Sequence, residues 1–272
     1  MKVSIITDEI SQDPETSVEL AVRWGIRHVE IREVWGKRVP DIDDEQRRRL
    51  FEILNRYGAN VVGISPGIFK VPASQNDVIL EHLNERLVKS FQLARSLETN
   101  MIIVFSPMKE STSNEMLFRN SIQLLRKATE AAEEQNMRLA LENEALCLAD
   151  TGTNVARVVR AVGSSRLLVN WDPCNAYFAG QDPFPTGYLE VRGMIGHVHL
   201  KDCISDGPGR AKRYVPIGKG ETRIKELLKS LIKDGYQGYV SIETHFGPKV
   251  MSTEACLNGL RSLLQEIGES EE

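Results

Sequence analysis

Short apolar runs alternate with amphipathic stretches along the whole chain, and this alternation constrains the fold more than any other feature. Strand-like runs fall at 3–7, 28–32, 60–65, 101–106, 138–142, 167–172, 195–201 and 239–244. Helix-like stretches lie between them. In 223–234, Ile224, Leu227, Leu228, Leu231 and Ile232 recur at the spacing of a single helix face. Thr112 and Glu115 have capping-box spacing ahead of the helix through Leu124 and Leu125. Gly58, Gly163 and Gly235 stand where helices end in a left-handed residue. Eight such strand–helix units in 272 residues predict a single (β/α)8 TIM barrel, one domain over 1–272. A doubly wound open sheet is the alternative, but strands buried on both faces would not carry so many inward charges.

Alternation within the strands separates two faces. Leu139 and Leu141 oppose Arg138, Ala140 and Glu142, while Leu167, Val169 and Trp171 oppose Asn170 and Asp172. Val198 and Leu200 oppose His197, His199 and Lys201, and Val240 and Ile242 oppose Ser241 and Glu243. The apolar face suits contact with helices. The polar face fills the barrel and gathers at its C-terminal mouth, where barrel enzymes carry their chemistry.

Four residues on that face, Glu142, Asp172, His199 and Glu243, each stand where a strand gives way to a loop. Three carboxylates and one imidazole from successive strands suit a hard divalent cation. Mn²⁺ is foremost and Mg²⁺ close behind, with Co²⁺ or Zn²⁺ as alternatives. Such an ion, left with open positions, can hold the two oxygens of a hydroxy-ketone or hydroxy-aldehyde. It then stabilises the enediolate formed when the neighbouring carbon loses a proton. Glu142 and Glu243 can flank the substrate as the proton-transfer pair. Lys201 can reach a substrate oxygen or phosphate, and Asn175 can offer an amide. His197 shares the parity of His199 one layer deeper, as a substrate contact or a satisfied core histidine. The stretch 203–220 is long for a strand–helix connection and rich in Gly, Pro and basic residues. Its Arg210, Lys212 and Arg213 either meet an anionic substrate or form a solvated patch. Asp8, Glu30 and Arg32 line the same mouth, and Glu30 can alternatively pair with Arg32.

Composition removes several classes. A net charge of −4 advertises no nucleic-acid partner, and no apolar run reaches membrane-spanning length. The first residues read as a strand followed by acidic residues, not as a signal peptide. Cys147, Cys174, Cys203 and Cys256 have neither disulfide-framework density nor thiolate-site spacing, and a reducing cytoplasm is the expected compartment. A homo-oligomer is compatible with the sequence, though no apolar stripe marks an interface.

The stretch HVHLKD, followed by PIGKGETRIKELLKSLIKDGYQGYVSIETH, resembles the xylose isomerase-like barrel superfamily of sugar phosphate isomerases and epimerases. LALENE and VNWDPCNA are similar to that family's fifth and sixth strand ends, and WGIRHVEIR to its second. The resemblance spans essentially the whole chain. It implies that Glu142, Asp172, His199 and Glu243 ligate the metal, with Glu142 and Glu243 moving the proton. It also puts His199, not His197, on the ligand position. A small sugar or keto-polyol is the implied substrate, and the implied activity is isomerisation or epimerisation. Dehydration of a keto-polyol or dehydroshikimate-like compound through the same site is the alternative. A non-catalytic sugar- or metal-binding barrel is a third reading. The endonuclease IV type needs a histidine-rich trinuclear zinc site, and this chain has five histidines in all. Asn175 stands where the ketose 3-epimerases carry a substrate-binding histidine. The pair Lys201–Asp202 is more like the isomerase and dehydratase branches.

Overall fold

The structure, a computed structural model, describes residues 1–111, 115–205 and 212–271. Strands β1 (Lys2–Ile6) and β2 (His28–Ile31) are followed by a small hairpin, β3 (Glu33–Val34) and β4 (Lys37–Arg38). Then come β5 (Asn60–Ile68), β6 (Met101–Val104), β7 (Arg138–Glu142), β8 (Leu167–Trp171) and β9 (Ile195–Leu200). A second hairpin, β10 (Asp202–Ser205) and β11 (Lys212–Val215), precedes β12 (Tyr239–Ile242). The eight strands β1, β2, β5, β6, β7, β8, β9 and β12 pair in parallel in that order and close on themselves. This is the expected (β/α)8 barrel, and each strand begins and ends within three residues of its sequence-based bounds.

Around the barrel run α1 (Pro14–Arg23), α2 (Asp44–Tyr57), α3 (Asn76–Glu81), α4 (Leu87–Ser96) and α5 (Glu115–Glu134). They continue as α6 (Gly152–Val162), α7 (Pro173–Phe178), α8 (Tyr188–Val191), α9 (Ile224–Lys233) and α10 (Lys249–Glu266). Local chemistry sets their ends. Asp43 and Gln46 form a capping box at the start of α2, and Gly58 closes it at φ 61°. Thr151 caps α6, which ends at Gly163 with φ 72°. The connections are richer than one helix per strand, because short α3 and α8 and both hairpins are extra. Thr112 lies outside the described residues. Among those residues no helix is long and apolar enough to cross a membrane.

The two faces separate as parity requires. Leu139, Leu141, Val169, Trp171, Val198, Leu200, Val240 and Ile242 join the helix faces in one buried shell. Each such side chain contributes about 1.5–3 kcal/mol on burial. A smaller cluster, Met101, Ile103, Phe105, Ala140 and Cys147, fills part of the barrel interior. The rest of the interior is polar, with Ser4, Glu30, Asn170, His197, His199 and Ser241 all buried.

Residues 203–220 are not the free loop their composition suggests. The chain leaves β9, makes β10 and returns as β11, with Cys203 opposite Tyr214. Asp202 anchors this excursion. It accepts from the backbone N–H groups of Gly218 (3.0 Å) and Gly220 (2.9 Å) and from Thr222 Oγ1 (2.6 Å). A Cβ at residue 220 would lie 2.0 Å from Asp202 Oδ1, so only glycine fits there. Arg210 lies outside the described residues, and Arg213 is exposed on β11.

Candidate metal centre

Strands β7, β8, β9 and β12 are consecutive around the barrel, so their C-terminal ends converge. Glu142, Asp172, His199 and Glu243 meet there, all buried, with one ligand atom from each lying within 4.8 Å of all the others. Every member is held by neighbours. Asn175 Nδ2 donates to Glu142 Oε1 at 3.0 Å, and Asn170 Nδ2 to Oε2 at 3.1 Å. Asp172 caps α7 through Asn175 N–H at 2.8 Å, with Pro173 in the first helical turn. Asn143 brackets the Asp172 backbone, accepting from its N–H and donating to its carbonyl, both at 2.8 Å. The DPCN turn thus does three things: it supplies a carboxylate, starts a helix and aims an amide at Glu142.

His199 shows which way the site faces. Its Nε2 lies 3.0 Å from Glu30 Oε2. An ionised carboxylate only accepts, so Glu30 fixes an N–H on Nε2. Among the described residues Nδ1 has no hydrogen-bond partner; it faces Glu142 Oε2 (3.2 Å) and Glu243 Oε2 (3.6 Å). A lone pair facing carboxylates is repulsive unless a cation or a proton lies between them. Oδ2 of Asp172 pairs with the buried Lys201 ammonium, its Nζ 2.7 Å away. A buried imidazole nitrogen that faces Glu142 and Glu243, with Asp172 completing the cluster, fits a divalent cation. The carboxylate–imidazole support behind His199 is of the kind that orients metal-binding histidines.

Titration follows the same geometry. Burial raises the Asp172 carboxyl to about 6, against the pull of Lys201. Burial opposes charge on His199, but Glu30 and Glu142 outweigh it and hold the imidazole well above its ordinary value. Burial likewise works against ionised Glu30, yet the two histidines keep it far below the usual carboxylate range. Without a metal, a proton on His199 takes part of the cation's place.

The other predicted residues are placed as follows. Lys201 is buried, its Nζ between Asp172 Oδ2 and Glu243 Oε2 (2.5 Å). Asn175 directs its amide to Glu142. His197 lies beneath the centre, its Nε2 2.9 Å from both Glu30 and Ser241 Oγ, and it props Glu30 rather than facing the mouth. Glu30 turns to these histidines and not to Arg32. Arg32 Nη1 instead donates to Glu243 Oε1 at 2.7 Å and Nη2 to Asp8 at 2.7 Å, with Glu9 beside it.

Parity alone would have flagged one further residue. His245 follows Glu243 by two and places Nε2 2.7 Å from Glu243 Oε1. Its φ is 60°, and its ring lies against Tyr214 with centroids 5.2 Å apart. Above the centre opens a cavity of about 540 Å³ lined by Glu142, Glu243, Arg32, His245, Phe105 and Phe246, among others. That volume is in the range of small-ligand pockets.

Fold and site together define a parallel barrel with a cation-type carboxylate–imidazole cluster at its C-terminal mouth. The chain belongs to the xylose isomerase-like TIM barrel family, whose profile matches residues 18–263. It is 26% identical over 233 residues to an uncharacterized protein of Methanocaldococcus jannaschii, covering 82% of this chain and 77% of that protein. It is 24% identical over 255 residues to fructoselysine 3-epimerase of Escherichia coli O157:H7, covering 86% and 88%. Among solved structures, the probable 3-DHS dehydratase AsbF of Bacillus anthracis superposes with a TM-score of 0.78 at 19% identity, over 96% and 98% of the two chains. The IOLI protein, solved with a zinc atom, superposes with a TM-score of 0.82 at 15% identity, over 98% and 99%.

Proposed function

We propose that this protein is a divalent-metal-dependent sugar isomerase or epimerase acting on a small polyhydroxy carbonyl compound. One observation carries the reading: Glu142 and Glu243, from strands three apart around the barrel, both reach the cation cluster and both line the cavity above it. Glu142, Asp172, His199 and Glu243 would hold the ion, with Mn²⁺ first among candidates. When bound, the ion supplies a Lewis acid for the negative charge that develops on the substrate's oxygens.

The chain's own residues do the rest. Glu243 takes the proton from the carbon beside the carbonyl. Arg32 and His245 hold its Oε1, leaving the carboxylate little freedom to rotate. Glu142 is fixed through both oxygens by Asn170 and Asn175; it takes a proton from solvent and delivers it to the carbon from the other side, while Glu243 gives its proton back to solvent. Lys201 neutralises Asp172 and Glu243 in the absence of substrate and can turn to a substrate oxygen. Lysis of a β-hydroxyl is the second reading. It is favoured by Asn175, which commits its amide to Glu142 where the ketose 3-epimerases present a histidine to substrate.

Mass spectrometry of ketoses, aldoses and keto-polyols incubated with the Mn²⁺-loaded protein in D₂O tests both readings. Deuterium uptake without loss of water is the expected outcome. Uptake with loss of water would establish the lyase. No uptake on any compound by protein with metal bound would refute proton transfer and favour a binding role.

A further inference from the structure

Among the described residues, the cavity lining carries six carboxylates against four Lys and Arg side chains. A bound divalent cation would offset that difference among these lining residues. Two of the four basic groups are also committed to lining carboxylates. Arg32 is held by Asp8, Glu9 and Glu243, and Lys70 by Glu144.

One pair is different. Glu33 and Arg38 face each other across the β3–β4 hairpin, yet Glu33 Oε1 and Arg38 Nη1 stand 3.9 Å apart, beyond hydrogen-bond reach. Each is pulled back by its own holder. Gln12 Nε2 donates to Glu33 Oε2 at 3.0 Å. Arg38 Nε donates to the Ser65 carbonyl at 3.1 Å and Nη2 to Ser65 Oγ at 3.4 Å. The guanidinium packs over Gly67, where a Cβ would come within 3.0 Å of Nε. With both side chains about one-third exposed, the pair adds little stability to the hairpin. Among the described residues this pair is held open, with three guanidinium N–H groups and one carboxylate oxygen making no hydrogen bond. Both residues line the cavity above the metal centre, and the charges of Glu142 and Arg32 bear on Arg38.

We propose that Glu33 and Arg38 form a subsite for a zwitterionic amino-acid headgroup, which the substrate carries away from the carbonyl end held at the metal centre. The headgroup's carboxylate lies on Arg38 and its ammonium on Glu33. A plain anion would meet the charge of Glu33 and a plain amine that of Arg38. Only a group with both charges uses both residues. This assignment rests on the proton-transfer reading of the centre.

The test is calorimetric titration of the Mn²⁺-loaded protein with fructose, fructose 6-phosphate, and fructose joined through C1 to the side-chain amine of ornithine or lysine. An amino-acid conjugate should bind more tightly than the other two sugars. Glu33→Gln and Arg38→Gln should each weaken it by about 10- to 100-fold and erase its margin over fructose, with Arg38→Lys retaining part. Circular dichroism and Mn²⁺ affinity of the variants check that fold and centre persist. The subsite is overturned if neither conjugate binds, if fructose 6-phosphate binds better, or if the margin survives in both charge-removing variants. Conjugate binding with the expected variant losses but no deuterium exchange would support the subsite and sink the proton-transfer reading. Exchange into fructose without preference for a conjugate would do the reverse.

Discussion

Replacing Glu30 with glutamine is the sharpest probe of how the centre is held. Glu30 is fully buried and accepts from His199, His197 and Ser241, at 2.9 to 3.1 Å. Glutamine keeps the size but turns one acceptor into a donor facing imidazole N–H groups. The ring of His199 then loses the partner that leaves Nδ1 bare toward Glu142 and Glu243. Loss of such a support lowers metal affinity by about 10- to 100-fold. That is about 1.4–2.7 kcal/mol. A buried imidazole left unpaired costs a further 1–3 kcal/mol or so of folding stability. The two effects separate experimentally. Chelator competition reads the affinity of the folded protein for Mn²⁺, and urea denaturation of the metal-free protein reads the stability. An unchanged Mn²⁺ affinity in Glu30→Gln would refute the argument, whatever happens to stability.

Two further predictions follow from the same geometry. Burial raises Asp172 to about 6, and a raised folded value favours the protonated fold. Its contribution is complete below the ordinary 3.8 and lost as pH rises through about 6. His199, held above its ordinary value, acts in the same direction at higher pH. Metal-free protein should therefore be less stable at pH 7.5 than at pH 5, by about 1 kcal/mol from Asp172, and saturating Mn²⁺ should remove the difference. Equal urea midpoints at the two pH values without metal would contradict this. Asn143→Ala strips both hydrogen bonds from the Asp172 backbone and should cost about 2–4 kcal/mol in denaturation, a large effect for a residue that touches no ligand.

Much of this arrangement was legible in the sequence because it depends on local periodicity. Glu142, Asp172, His199 and Glu243 could be placed together because each shares the inward parity of its strand and stands near its end. What the inward groups pair with was not legible. Glu30 is 167 residues from His197 and 211 from Ser241, and which of them it meets depends on register around the closed barrel. For the same reason Arg32 went to Glu243, 211 residues away, rather than to its near neighbour Glu30. The β3–β4 hairpin was too short to register as alternation. The β10–β11 hairpin was hidden by a composition that reads as loop. Its anchor, Asp202, is recognisable only once Gly218, Gly220 and Thr222 are seen to converge on it.

In the proposed centre the four buried side chains Glu142, Asp172, His199 and Glu243 make one divalent-cation site. Titration of the metal-free protein with Mn²⁺, followed by the electron paramagnetic resonance of the free ion, tests it directly. The expected result is one tightly bound ion per chain, with affinity sharply reduced in Glu243→Gln while circular dichroism stays unchanged. A wild-type protein that binds no ion saturably, or a Glu243→Gln variant that binds as tightly as wild type, would contradict it.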